Sequence, residues 1–210
     1  MFFTSIIHEC SGRWRIGFGV PQLDLFGDGP RVLVDDATGS VVYYPAALSP
    51  ARARDLFDEL MASTSWRHER RQMYDREVDV PRLVSSLSIE ERLPKLLSLA
   101  VPIVEGLARA HFSSIGLNLY RDGADSVAPH NDTLDELAPG EPIALLSLGA
   151  TRRMTIRSKD LPRRTLDLDL ESGSVLVMSY ETQRTYNHGI PKTTLPVGPR
   201  ISVAFRSRAY

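Results

Sequence analysis

One cysteine, Cys10, is all the sequence holds. An intrachain disulfide is therefore excluded, and with it the stapled scaffolds of small secreted domains. No apolar run approaches the roughly 18 residues that a membrane-spanning helix needs. The opening "MFFTSIIHEC" has no charged start and no small-residue cleavage site, so no signal peptide is expected. Charge of one sign is missing too. With a formal net charge of -1, no global field draws the chain to nucleic acid or membrane, and any phosphate contact must come from a local patch. Repeats and low-complexity tracts are absent. The expectation is a cytoplasmic monomer that does not touch the membrane.

What is present is an ordinary globular composition: 210 residues, 42% hydrophobic and 24% charged. That length supports one domain around a single core. "RVLVDD" (31–36) and "GSVVYY" (39–44) are β-branched runs joined by a turn. Ser49-Pro50 opens a helix over about 50–63, with Leu56, Phe57, Leu60 and Met61 at helical spacing. The charged stretch 67–83 reads as two short strands or an edge ribbon interrupted by Pro81. A second helical zone is predicted over about 88–110, split or kinked by Pro94 and Pro102. After residue 113 the pattern turns to strands alone, eight in succession, separated by turn signals. Asp122-Gly123 reads as the hairpin turn between the first two. The expected fold is α+β and mainly β, a jelly-roll core with two N-terminal helices packed on one side.

One pair of residues stands out. His130 and Asp132 form an H-x-D pair after an alternating segment, and residues i and i+2 of a strand share a face. His188 follows at the end of a later strand. Two histidines and one carboxylate make a facial triad, which leaves three coordination positions open on one side of a metal. That suits non-haem Fe(II) activating O2. Zinc hydrolases need one open position and use more histidine. The spacing alone also arises by chance. His8 and His68 sit in loop-like or charged contexts and read as surface residues, and His111 ends a helix.

The last strand adds a second signal. Arg200 and Arg206 fall on one face by period two, flanking Ser202 and Ala204. A cavity walled by small side chains, with a guanidinium at each end, suits a small dicarboxylate. Solvated strand arginines are the plain alternative.

Together these residues resemble the AlkB family of Fe(II)/2-oxoglutarate dioxygenases. The pattern N-x-Y-x-x-G, H-x-D, a distant H and R-x(5)-R reads here as Asn118, Tyr120, Gly123, His130, Asp132, His188, Arg200 and Arg206. The resemblance implies Fe(II), 2-oxoglutarate and O2 as cofactors, with His130, Asp132 and His188 as metal ligands. It implies that Arg206, helped by Tyr120, holds the distal carboxylate of 2-oxoglutarate. Arg200 and Asn118 would then orient the proximal carboxylate and Asp132. It further implies a substrate-recognition lid with supporting helices over 1–112 and a catalytic jelly roll over 113–210, in one compact structural domain.

The implied reaction is oxidative demethylation of alkylated DNA or RNA bases, such as 1-methyladenine or 3-methylcytosine, releasing formaldehyde, succinate and CO2. The alternatives are a tailoring hydroxylase on a small molecule or nucleoside and a non-catalytic binding module. Trp66 and Tyr74 are the aromatic candidates for stacking on the substrate, with Arg76 beside them. Asp135 and Glu136 stand one or two places later than the acidic residues that read the base in repair-type relatives. Two basic stretches offer phosphate contacts: Arg67, Arg70, Arg71 and Arg76, and the run "RRMTIRSKDLPRR" from Arg152 to Arg164.

Overall fold

A computed structural model describes residues 29–73 and 76–209, with side chains outside 71–79. The first two runs form a hairpin of β1 (Arg31–Asp36) and β2 (Gly39–Tyr44). Helix α1 (Pro50–Ser63) starts where its cap requires. The Ser49 hydroxyl accepts from the Arg52 N–H at 3.4 Å, and proline fills the first helical position, whose N–H has no intrahelical partner. Ala53, Leu56 and Leu60 are the buried stripe of α1.

The strands β3 (Arg67–Met73) and β4 (Arg76–Ser88) pair as an antiparallel ribbon. Pro81 does not interrupt β4, which runs on to Ser88. Helix α2 (Lys95–Ala108) accordingly starts later than the expected residue 88. Pro94 supplies the boundary as its N-cap. Pro102 sits inside a continuous helix, where it removes one ladder hydrogen bond without splitting the element. Helix α2 makes no side-chain cap of its own. Instead Glu59 of α1 accepts from the Leu96 N–H at 2.8 Å and the Leu97 N–H at 3.3 Å. A carboxylate there satisfies orphan donors and complements the helix dipole.

Eight strands follow, as expected: β5 (Ser114–Tyr120), β6 (Val127–His130), β7 (Ile143–Gly149), β8 (Arg152–Ser158), β9 (Thr165–Leu170), β10 (Val175–Met178), β11 (Tyr186–Ile190) and β12 (Arg200–Arg206). A four-residue helix, α3 (Thr182–Thr185), precedes β11, and a 3-10 turn spans Leu134–Glu136. The major sheet has the order β1-β2-β10-β7-β12-β5-β4-β3, and the minor sheet β6-β11-β8-β9. They face each other as a double-stranded β-helix, the jelly roll read from the strand pattern.

Two apolar clusters result from strand alternation. Odd-numbered residues of β5 and β12, among them Leu117, Leu119, Ile201 and Val203, pack against α1 and α2. Between the sheets lie Leu145, Met154, Ile156, Leu176 and Ile190. Even-numbered residues of β5 and β12 face this inner side, with Asn118 opposite Ser202 and Tyr120 opposite Arg200.

One expected turn is corrected. Asp122-Gly123 does not close a hairpin, because β5 lies in the major sheet and β6 in the minor one. The segment is a crossover. Its glycine is required by close approach: a Cβ there would lie 2.4 Å from the Thr193 carbonyl oxygen. Arg152, buried at the start of β8, donates to the carbonyls of Asp122, Asp125 and Pro191 at 2.8–2.9 Å and ties the crossover down. Among the described residues no helix is long and apolar enough to cross a membrane.

Candidate metal centre and its cavity

The register of the minor sheet brings the triad together. His188 on β11 pairs directly with His130 on β6, and their ring centroids lie 4.6 Å apart. The glycine after His188 lets the two strands approach: a Cβ at Gly189 would stand 2.9 Å from the Val127 carbonyl oxygen. Asp132 completes the cluster, with the three ligand atoms within 4.8 Å of one another. Strand periodicity is not what places Asp132, since β6 ends at His130.

Two other contacts hold Asp132 instead. Its backbone N–H donates to Gln183 Oε1 at 3.0 Å. Its carboxylate accepts from Arg206, Nε to Oδ2 at 2.5 Å and Nη2 to Oδ1 at 3.2 Å. Gln183 is a buried residue of α3 that the sequence reading did not single out. Lys159 Nζ donates to its backbone carbonyl at 2.8 Å and fastens it to the end of β8. A lone glutamine in "ETQRT" carries no periodic or motif signal; only the folded register shows its partner.

The electrostatics suit a metal. Burial pushes the His188 imidazole down to about 3, with the neighbouring His130 adding to the effect, so it is neutral at physiological pH. His130 is also lowered, chiefly by burial. Its Nδ1 donates to the Ala128 carbonyl at 2.9 Å, which fixes the tautomer and leaves Nε2 as the ligand atom. Burial works against ionisation of Asp132, but the Arg206 guanidinium overrides it and holds the carboxyl below its ordinary range. Two neutral imidazoles and one carboxylate are the donor set that Fe(II) takes.

Beside the triad lies a cavity of about 1030 Å³. Asn118, Tyr120, Ser202 and Ala204 line it together with the three ligands and Arg206. Arg200, on the same face of β12, is fully buried, with its guanidinium 5.3 Å from the centroid of the Tyr120 ring. One nitrogen donates to Ser147 Oγ at 2.9 Å; Nε and Nη1 have no partner among the described residues. Burial lowers its affinity for its own proton. Buried guanidinium donors left unmatched are costly, and an anion reaching them removes that cost. The residues therefore fit both Fe(II) and 2-oxoglutarate. Arg206 is bound to Asp132, whereas Arg200 keeps two guanidinium nitrogens without a partner among the described residues.

The substrate candidates disperse. Trp66 packs against the apolar core beneath the helices rather than on the cavity wall, as an indole in mostly apolar surroundings would. Tyr74 and the side chain of Arg76 lie outside the described residues. Asp135 is exposed, whereas Glu136 lines the cavity and pairs with Arg208 at 2.6 Å. Arg67 and Arg70 reach the cavity wall from β3. The second basic stretch is partly engaged within the protein itself. Arg152 holds the crossover, Arg153 pairs with Asp169 at 3.0 Å, and Arg164 pairs with Asp36 at 3.2 Å.

Comparison with known proteins accords with this geometry. The family model described as the 2OG-Fe(II) oxygenase superfamily matches residues 40–206. A mouse protein named DNA oxidative demethylase ALKBH2 is 39% identical over 102 residues, covering 45% of this chain and 43% of that protein. Its human counterpart is 36% identical over 110 residues, 49% of this chain and 42% of the other. Mouse alkB homolog 3, named an alpha-ketoglutarate-dependent dioxygenase, is 29% identical over 188 residues, 80% of this chain and 65% of the other. The chain thus matches less than half the length of these ALKBH2 relatives. Among solved structures, that of OsALKBH1 superposes with a TM-score of 0.59 at 16% identity, over 80% of this chain and 97% of that one, a likeness of fold. With its triad, arginine pair and jelly roll in place, the chain belongs to the 2OG-Fe(II) oxygenase superfamily and is an AlkB-like member of it.

Proposed function

We propose that the protein is an Fe(II)/2-oxoglutarate-dependent dioxygenase that oxidatively demethylates N-alkylated bases of DNA or RNA, releasing formaldehyde, succinate and CO2. The observation that carries the dioxygenase reading is the fully buried Arg200, with two unmatched donors, on the strand face that leads to the Arg206–Asp132 pair and the histidines. His130, Asp132 and His188 would hold the iron. Arg200 would take the distal carboxylate of 2-oxoglutarate, and Asn118 and Tyr120 would orient it. Bound together with O2, iron and 2-oxoglutarate supply oxidation of a C–H bond coupled to decarboxylation of the cosubstrate. The chain's own part is to fix the ligand tautomer, orient Asp132 and wall the reaction off from water.

Similarity to proteins named DNA oxidative demethylases supports a nucleic-acid substrate. Arg67 and Arg70 on the cavity wall add a local cationic rim. In this reading residues 1–112 carry substrate recognition and 113–210 the chemistry. The protein works as a monomer in the cytoplasm, in keeping with its single cysteine. A second reading, a hydroxylase of a small metabolite or nucleoside, draws on the burial of Arg152 and on the carboxylate partners of Arg153 and Arg164, which weaken the expected phosphate-binding surface.

Incubation with iron, ascorbate and 2-oxoglutarate, read out as succinate and formaldehyde together, separates them. Formaldehyde from methylated oligonucleotides supports demethylation. Succinate formed only with a small molecule supports the second reading.

A further inference from the structure

Tyr120 has two guanidiniums against its ring. Arg200 lies 5.3 Å from the ring centroid, and Arg152 lies 5.7 Å from the same centroid. Both arginines are buried, 0% and 3% exposed. Tyr120 lines the cavity and neither arginine does, so the ring stands between the cavity and two positive charges. Strand alternation brings them together across the sandwich. Arg152, Met154 and Ile156 are the buried residues of β8 in the minor sheet. Tyr120 and Arg200 are register partners on β5 and β12 of the major sheet.

Arg152 forms no ion pair among the described residues. Its guanidinium donates to three backbone carbonyls at 2.8–2.9 Å: Asp122 and Asp125 in the crossover, and Pro191 after β11. The Asp125 carboxylate is taken by Arg121, whose Nε and Nη2 donate to it at 2.8 and 2.9 Å. Tying down a crossover calls for donors alone. A full charge kept in a dry interior without a counter-ion is costly, and carbonyl dipoles and an aromatic face offset only part of that cost. The positive charge of Arg152 is felt at Tyr120 and also at Arg200, where it adds to the strain of burial. A negative charge arriving at Arg200 relieves both guanidiniums at once. A 2-oxo acid that ends in a carboxylate brings such a charge, and one that ends in a methyl group does not.

We propose that Arg152 is a positioning residue for the cosubstrate: it braces Tyr120 from behind and supplies a second positive charge that selects a doubly charged 2-oxo acid over a singly charged one. This inference rests on the reading above that the distal carboxylate of 2-oxoglutarate goes to Arg200.

The test is titration of the Co(II)-loaded protein with 2-oxoglutarate and with 2-oxopentanoate, which has the same chain length but a terminal methyl group. The ratio of the two Kd values measures selectivity for the second carboxylate, and as a ratio within each variant it is not imitated by partial unfolding. Arg152→Gln should cut this ratio by about tenfold, the scale of one unit charge acting across a protein interior. Arg152→Met, neutral and of similar length, reads the same quantity if the glutamine variant does not fold. Arg152→Lys keeps the charge but not the fork, so it should retain most of the selectivity while its melting temperature falls with that of Arg152→Gln. Lower melting temperatures with an unchanged ratio in the neutral variants would make Arg152 a crossover tie alone and overturn the inference. So would a ratio in Arg152→Lys that falls as far as in Arg152→Gln. Arg200→Met separates the two readings. If it binds 2-oxoglutarate as the wild type does, the assignment of the distal carboxylate fails and this inference with it. If it loses selectivity and the neutral Arg152 variants do not, only the role of Arg152 is refuted.

Discussion

Arg206 grips Asp132 with one edge of its guanidinium, Nε to Oδ2 at 2.5 Å and Nη2 to Oδ1 at 3.2 Å. Both side chains are mostly buried, so this is an oriented pair rather than a surface one. Its consequence is for the metal. Arg206→Lys keeps a positive charge but cannot hold both carboxylate oxygens, and metal affinity should fall by about 10–100-fold, as for other groups that orient a ligand. Isothermal titration of the metal-free protein with Co(II) checks this. An unchanged affinity would return Arg206 to the cosubstrate role expected from the sequence.

Arg200 should behave in the opposite way. It is fully buried, and two of its nitrogens have no partner. Replacing a buried charge that lacks a matching anion by an apolar side chain of similar size removes its desolvation cost. Arg200→Met is therefore expected to hold or raise the melting temperature of the cofactor-free protein. It should also abolish the added stability that 2-oxoglutarate gives the metal-loaded wild type, while leaving Co(II) affinity intact. Thermal scans with and without 2-oxoglutarate distinguish this outcome from simple loss of fold.

These two arginines also show how far the sequence could be read. Their common strand face followed from period two, and the structure bears it out across β12. Which guanidinium meets Asp132 did not follow, because that depends on where the segment beyond β6 turns back toward the major sheet. The hairpins, the eight-strand run and the Ser49-Pro50 helix start were legible because each is a local signal. The Asp122-Gly123 segment misled for the same reason: a turn signal does not say whether the next strand returns to the same sheet. Trp66 could be read from the sequence as a stacking residue or as core packing, and it packs against the core. Gln183 meets Asp132 through one contact across the fold, and no sequence periodicity announces such a contact.

Gln183 gives a third expectation. Its Oε1 is the acceptor for the Asp132 N–H at 3.0 Å, while its Nε2 lies 3.2 Å from Thr182 Oγ1. Gln183→Ala leaves a backbone donor near the metal unmatched and frees Asp132 to shift. Co(II) affinity should drop by about tenfold or more. Gln183→Glu keeps an acceptor at the same place and should recover much of the loss. If the fold alone were at stake, both variants would lower the melting temperature without separating in Co(II) titrations.

Acid should act on the metal-free protein through the histidines. His188 is pushed down to about 3 by burial, and His130 is lowered in the same direction. In the unfolded chain each imidazole takes up its proton near pH 6.5. Between that pH and about 3 the unfolded state therefore binds more protons at His188 than the folded state, so stability rises with pH and is lost on acidification. One such proton corresponds to a slope of about 1.4 kcal/mol per pH unit. The lowered Asp132 acts with the same sign but only below the ordinary carboxylate range. His188→Gln removes the titrating group. Its metal-free form should show a shallower fall in unfolding free energy between pH 6.5 and 4 than the wild type. Urea titrations at each pH supply the measurement, and parallel slopes for the two proteins would mean that His188 is not held neutral in the fold.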